Sequence, residues 1–149
     1  MKNFIQNILF FILLSITNAA ALIEIDITEG NREPLPIAIT DFFYDDVDAA
    51  MLSEISDNLS DVVEADLERC GLFAPINEEA FIQKNAAMHL RPRFEDWRLI
   101  KSQALVTGKL KIVDGDKLRV EFRLWDTLAE KELEALVLIT TLDNWRRIS

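Results

Sequence analysis

Between residues 22 and 28 the apolar side chains of Ile23, Ile25 and Ile27 alternate with Glu24 and Asp26. That two-residue period predicts a strand with one covered face. Glu29-Gly30-Asn31 reads as a turn. Pro34 and Pro36 frame the next piece, so Ile37-Ala38-Ile39 is expected to start a second strand beside a residue that cannot donate to a ladder. Residues 41–48 read as a loop in which Phe42, Phe43 and Tyr44 lie among aspartates, expected to tuck its aromatics under a sheet edge.

From about residue 49 to 70 the period changes. Leu52, Ile55, Leu59, Val62, Val63 and Leu67 recur at three- and four-residue spacing, with Glu54, Asp57, Asp61, Glu64 and Glu68 on the other faces. This predicts an amphipathic helix, opened by Asp48 as cap and stopped by Gly71, with Leu72 and Phe73 folding back as its apolar contact. A short strand is expected at residues 72–76. Asn77 then caps a brief helix through Phe81 and Ile82, and residues 83–93 carry no clear period. Phe94, Trp97 and Ile100 mark a second helical stretch after Arg91-Pro92.

The last third reads as sheet. Leu105, Val106, Leu110, Ile112 and Val113 run into the hairpin signal Asp114-Gly115-Asp116. Leu118, Val120, Phe122 and Leu124 then alternate with Lys117, Arg119, Glu121 and Arg123, which fixes register because a one-residue slip would bury four charges. A further strand is expected from about residue 133 to 141. Asp143 looks like the cap of a helix opening at Asn144, and the sequence ends at Ser149 barely one turn on, as if cut within an element. The fold class expected is α/β (α+β): a single domain, with a mixed sheet of about five strands packed against two main helices.

The first 21 residues depart from this pattern. Lys2 precedes an apolar run from Phe4 to Ile16 and then the small-residue cluster Thr17-Asn18-Ala19-Ala20-Ala21. An apolar stretch of roughly a dozen residues suits a secretory signal and is short for the ~20 needed to span a bilayer. Cleavage after Ala21 is the expectation, leaving residues 22–149 as the domain, in the periplasm and without membrane insertion; an uncleaved anchor is the alternative.

Charge narrows the partners. The chain carries a formal net charge of −10, and the one basic residue of the first 21 makes the remainder more acidic still. Such a surface repels nucleic acid and anionic membranes, since basic and acidic residues are interspersed with no basic stripe. Cys70 is the only cysteine, so no intrachain disulfide forms; it is expected to be a buried small hydrophobe.

Candidates for chemistry are few. His89, the only histidine, has no Cys or His neighbour and reads as a surface residue. There is no Gly-x-Ser-x-Gly elbow, no Ser-x-x-Lys and no glycine-rich phosphate loop. Asp45-Asp46, Glu78-Glu79 and Glu95-Asp96 lack the spacing of a calcium loop and read as solvated charge. No catalytic residue, metal ligand, cofactor or small-molecule substrate is expected.

Several separate pieces resemble the N-terminal domain family of TolB, a periplasmic component of the Tol-Pal system. They are Pro36-Ile37-Ala38-Ile39 with Phe42, Asp66-Leu67 through Cys70-Gly71-Leu72-Phe73 to Pro75, and Trp97. Leu105-Val106-Thr107-Gly108, Leu124-Trp125-Asp126 and Trp145-Arg146-Arg147 complete the set. The resemblance implies a non-enzymatic protein-binding domain that supports outer-membrane integrity and cell division and that group A colicins exploit for entry. It also implies that the inner-membrane protein TolA is contacted by the segment just after signal cleavage, here Leu22, Ile23, Glu24, Ile25, Asp26, Ile27 and Thr28. The strand reading of those residues supports pairing with a partner's sheet edge, or completion of the domain's own sheet. Family members bind Pal through a six-bladed β-propeller that this sequence lacks, so Pal is not expected as a partner. Two other classes remain open: a periplasmic accessory module regulating peptidoglycan synthesis, and a secreted hydrolase built on acidic residues. A gene fragment without function is a further reading.

Overall fold

The computed structural model describes residues 33–44, 49–84 and 90–147. Strand β1 (Leu35–Ile39) lies between β3 (Phe73–Pro75) and β4 (Ala104–Val113), parallel to both. The two-residue β2 (Phe43–Tyr44) continues the parallel pairing along β4, and β4, β5 (Lys117–Asp126) and β6 (Lys131–Thr141) form an antiparallel meander. The result is one mixed sheet in the order β3-β1-β4-β5-β6. The α+β class holds, with six strands instead of about five: the aromatic loop contains β2.

Pro36 sits in a strand flanked on both sides, a position normally closed to proline. Its neighbours Leu35 and Ile37 bond toward β3, through Leu35 N to the Leu72 carbonyl and Ile76 N to the Ile37 carbonyl. Pro36 therefore faces β4, and there the first paired residue is Ile37 with Ala104. Its carbonyl still accepts from Gln103 N at 2.9 Å, and the missing N–H falls where β4 has not yet begun.

Helix α1 (Ala49–Arg69) covers one face of the sheet. Leu52, Ile55 and Leu59 are buried on Phe42, Leu110, Leu118 and Val120, while Val63 and Leu67 pack half-buried on Ile37, Ile39 and Val106. Two polar residues on the same stripe fix the chain that precedes the helix. Ser56 Oγ accepts from Phe42 N at 2.7 Å and donates to the Phe42 carbonyl at 3.1 Å, and Ser60 Oγ donates to Asp41 Oδ1 at 3.1 Å.

Gly71 stops the helix with φ of +73°, as its position predicts. Two expectations here need correction. Cys70 is exposed, because burial along α1 fades from complete at Leu59 to partial at Leu67 and is gone in the last turn. Leu72 is exposed as well and supplies only a carbonyl to Leu35; Phe73 alone makes the apolar return.

The opposite face carries a second core. The short helix α2 (Phe94–Leu99) places Phe94 and Trp97 against Ala38, Leu105 and Trp125, with Phe81 completing the cluster. Trp97 is fully buried, and Phe81 meets it edge-on at 5.0 Å between ring centroids. The brief helix expected through Ile82 is only a 3-10 turn (Glu78–Ala80), capped by Asn77 Oδ1 accepting from Glu79 N at 2.8 Å. It ends early so that Phe81 can enter the core, and Ile82 is left half-exposed.

The β4–β5 hairpin turns on Asp114 and Gly115, both at positive φ, and pairs Leu118, Val120, Phe122 and Leu124 in the register that alternation requires. A bulge at Leu124/Trp125 places Leu133 as the extra residue of β6. After β6 the chain forms a 3-10 helix (Leu142–Arg147) instead of a helix opening at Asn144. It starts at Leu142, whose N donates to the Asp116 carbonyl, two residues before the expected Asn144, and Trp145 packs on the core under α1.

Candidate protein-interaction surface

The pieces of sequence that stood out meet one another in the interior. Gly108 lies under the Phe42 ring: a Cβ there would run into Phe42 Cδ1 and Cε1 and come within 2.8 Å of the Glu121 carbonyl oxygen. Trp125 Nε1 donates to Thr107 Oγ1 at 2.9 Å, and Trp97 Nε1 donates to Gln83 Oε1 at 3.3 Å. Gln83 Oε1 also accepts from Arg93 N at 2.9 Å, so one buried amide ties the irregular segment to α2. Gln83 escaped sequence reading because a polar residue without periodicity gives no sign of burial. These residues build the fold, and any contact with a partner must be sought on the surface.

That surface is divided by charge. The outer side of α1 presents Glu54, Asp57, Asp61, Glu64 and Glu68. Burial, then the neighbouring charges of Asp41 and Asp61, pushes the Asp57 carboxyl above its ordinary range. Glu64 is raised for the same reasons, burial first and then Asp61, Glu68 and Glu78. On the other side of the sheet Arg119 pairs with Glu121, Arg123 Nη1 pairs with Glu132 Oε2 at 2.9 Å, and Lys109 Nζ stands 5.3 Å from the centre of the Phe43 ring.

A cleft of about 410 Å³ lies at the start of α2, lined by Arg91, Pro92, Arg93, Phe94, Glu95, Asp96 and Glu130. Its charges answer each other: Arg93 Nη2 is 2.6 Å from Asp96 Oδ2, and Glu130 takes Arg98 Nη1 at 2.7 Å and Arg91 Nη2 at 3.9 Å. The lining holds no hydroxyl, thiol or imidazole that could act as nucleophile or base. Glu95 and Asp96 open α2, whereas Glu78 and Glu79 are exposed on the 3-10 turn. Among the described residues no group of three or more His, Cys, Asp and Glu could hold a metal ion, and no helix is long and apolar enough to cross a membrane.

The segment from Leu22 to Thr28 lies outside the described residues, as do the predicted signal, Asp45-Asp46, the Asp48 cap and His89.

Comparison with known proteins places this architecture. The model of the TolB amino-terminal domain matches residues 23–133. The Tol-Pal system protein TolB of Pelagibacter ubique (strain HTCC1062) is 49% identical over 146 residues, covering 94% of this chain and 32% of the relative. The chain thus spans about a third of that relative's length. TolB from Acinetobacter baumannii superposes with a TM-score of 0.56 at 24% identity, over 77% of this chain and 25% of that one. Lipoprotein GNA1162 from Neisseria meningitidis gives 0.57 at 18% identity, over 72% and 81% of the two chains. The LpoB C-terminal domain from Salmonella enterica gives 0.52 at 7% identity, over 76% and 87%. Below 25% identity these likenesses speak for the fold alone. The match over residues 23–133, together with the close curated relative, shows that this chain belongs to the TolB amino-terminal domain family of the Tol-Pal system.

Proposed function

We propose that this chain is a periplasmic protein-binding domain that contacts TolA through residues 22–28, supports outer-membrane integrity and cell division, and offers the route that colicins exploit. It binds and does not catalyse. The observation that carries this reading is the family match, which begins at residue 23 and so takes in all but the first residue of the segment.

Physical support comes from the segment itself. Ile23, Ile25 and Ile27 on one face and Glu24 and Asp26 on the other give an extended peptide whose backbone can join a partner's sheet edge, with alternate side chains to set specificity. Export rests on the apolar run Phe4 to Ile16 followed by Ala19 and Ala21. Pal is left out of the proposal, because the resemblance assigns that contact to a propeller and the matched segment contains none. A synthetic peptide spanning residues 22–28 should displace the chain from immobilised TolA in a competition assay. A peptide of the same composition in scrambled order should not. If neither peptide competes at concentrations far above the chain's own dissociation constant, TolA binding is not carried by this segment.

A further inference from the structure

Interspersed along the sequence, the charges are parted by the fold. α1 turns Glu54, Asp57, Asp61, Glu64 and Glu68 to solvent on one side of the sheet. Leu110, Leu118 and Val120 face that helix, so the alternate residues of β4 and β5 point to the opposite side. Those include Lys109, Lys111, Lys117, Arg119 and Arg123, with Glu121 as the one acid among them. A chain with 26 acidic and 16 basic residues thus gathers cations on this face. Beside them β6 adds Val137 and Ile139, 48% and 61% exposed, in register with Glu121 and Arg119. The second core covers only the end of this face, at Leu105 and Trp125, and no described helix covers the rest.

A sheet face is covered by a helix or by another sheet. From β4 to β6 the open part is about 10 Å wide, and from Lys117 to Arg123 it is roughly 20 Å long. That is the footprint of one helix of about four turns, the kind of cover that α1 gives the other face. Charge decides which helix. The acidic outer side of α1 turns a carboxylate-rich partner away, while the cations draw it to this side. Within the sheet Arg119 pairs with Glu121, Arg123 with Glu132 and Lys117 with Asp114, yet the basic member of each pair stays at least 34% exposed. Such pairs are weak and can re-form with an incoming carboxylate. A ligand of charge alone would leave Val137 and Ile139 in water, so the occupant has an apolar flank as well.

We propose that the sheet face left open beyond α2 docks an acidic amphipathic helix of a partner protein, its carboxylates on Lys111, Arg119 and Arg123 and its apolar flank on Val137 and Ile139. This docking is independent of residues 22–28.

Fluorescence anisotropy of a synthetic probe titrated with the full chain tests it. The probe is a ~18-residue helix of Glu, Leu and Ala, with carboxylates along one flank of its leucine stripe, and its control carries Lys in place of Glu. The Glu probe should bind saturably and the Lys probe should not. Raising salt from roughly 0.05 to 0.5 M should weaken binding about tenfold. Lys111→Glu should weaken it about tenfold and the milder Arg119→Gln about threefold. Ile139→Asn should cost about two- to fivefold through the apolar flank. Glu68→Gln, on the α1 side, should leave binding unchanged. An unchanged far-ultraviolet circular dichroism spectrum will show that the variants fold. Absence of saturable binding, equal binding of the two probes, or binding indifferent to Lys111→Glu and Ile139→Asn would overturn the proposal. So would a preference for phosphatidylglycerol vesicles over the Glu probe, or tighter binding by a chain lacking residues 22–28, which would make that segment the occupant.

Discussion

Phe42 and Gly108 belong to different strands of sequence evidence and to one packing event. The Phe42 ring lies where a side chain at position 108 would have to go, and it meets Phe122 edge-on with centroids 5.1 Å apart. Gly108→Ala is therefore expected to destabilise the domain by about 1–3 kcal/mol, the usual cost of overpacking, seen as a lowered urea midpoint. Removing the ring should relieve the clash. Phe42→Ala alone should cost about 3–5 kcal/mol, and adding Gly108→Ala to it should cost less than it does in the wild type. Additive losses in that double-mutant cycle would mean that the Glu121 carbonyl oxygen, 2.8 Å from the added carbon, is the real obstacle. At Ser56 the argument is polar. Its hydroxyl serves both the N–H and the carbonyl of Phe42, so Ser56→Ala leaves a buried donor unmet and should cost about 1–3 kcal/mol. Faster hydrogen exchange at the Phe42 amide would report the same loss locally.

Among elements, α1 combines the clearest sequence signal with an electrostatic burden. Its apolar stripe finds the sheet as its period demands, yet its outer face gathers Asp57, Asp61, Glu64 and Glu68 with Asp41 nearby. Since the folded state raises the Asp57 carboxyl above its ordinary 3.8, the native protein holds that proton more tightly than the unfolded chain does. Native stability accordingly falls as pH rises through the window from 3.8 to the raised value, and the penalty is fully present above it. Asp57→Asn should be more stable than wild type near neutral pH, with the gain vanishing below 3.8 and shrinking in high salt. Denaturant unfolding at a series of pH values will check this; a gain that persists at low pH would point to a contact made by the amide instead.

The β4–β5 hairpin was legible in full because Asp114-Gly115 turns the chain and the alternation in β5 permits one register. Elements shaped by tertiary contacts were not. β2 is two residues long, the segment near Gln83 is held by a buried amide, and the last turn of α1 loses its cover, which leaves Cys70 and Leu72 in solvent. None of these causes leaves a periodic trace.

For the whole molecule, several of the motifs that marked the family were legible because they build the core: Ala38, Trp97 and Trp125 cluster on one face of the sheet, with Trp125 held by Thr107, and Phe42 packs on Gly108 on the other, whereas Cys70 and Leu72 lie in solvent. A partner surface has no such internal requirement. The segment with the strongest claim to one, residues 22–28, was readable as an amphipathic strand, and its role came only with the family resemblance. The central claim is tested most directly by calorimetric titration of TolA into the full chain and into a chain from which residues 22–28 have been deleted, both with the same urea midpoint. Saturable binding by the first and none by the second is the predicted result. Equal affinities for the two would contradict it.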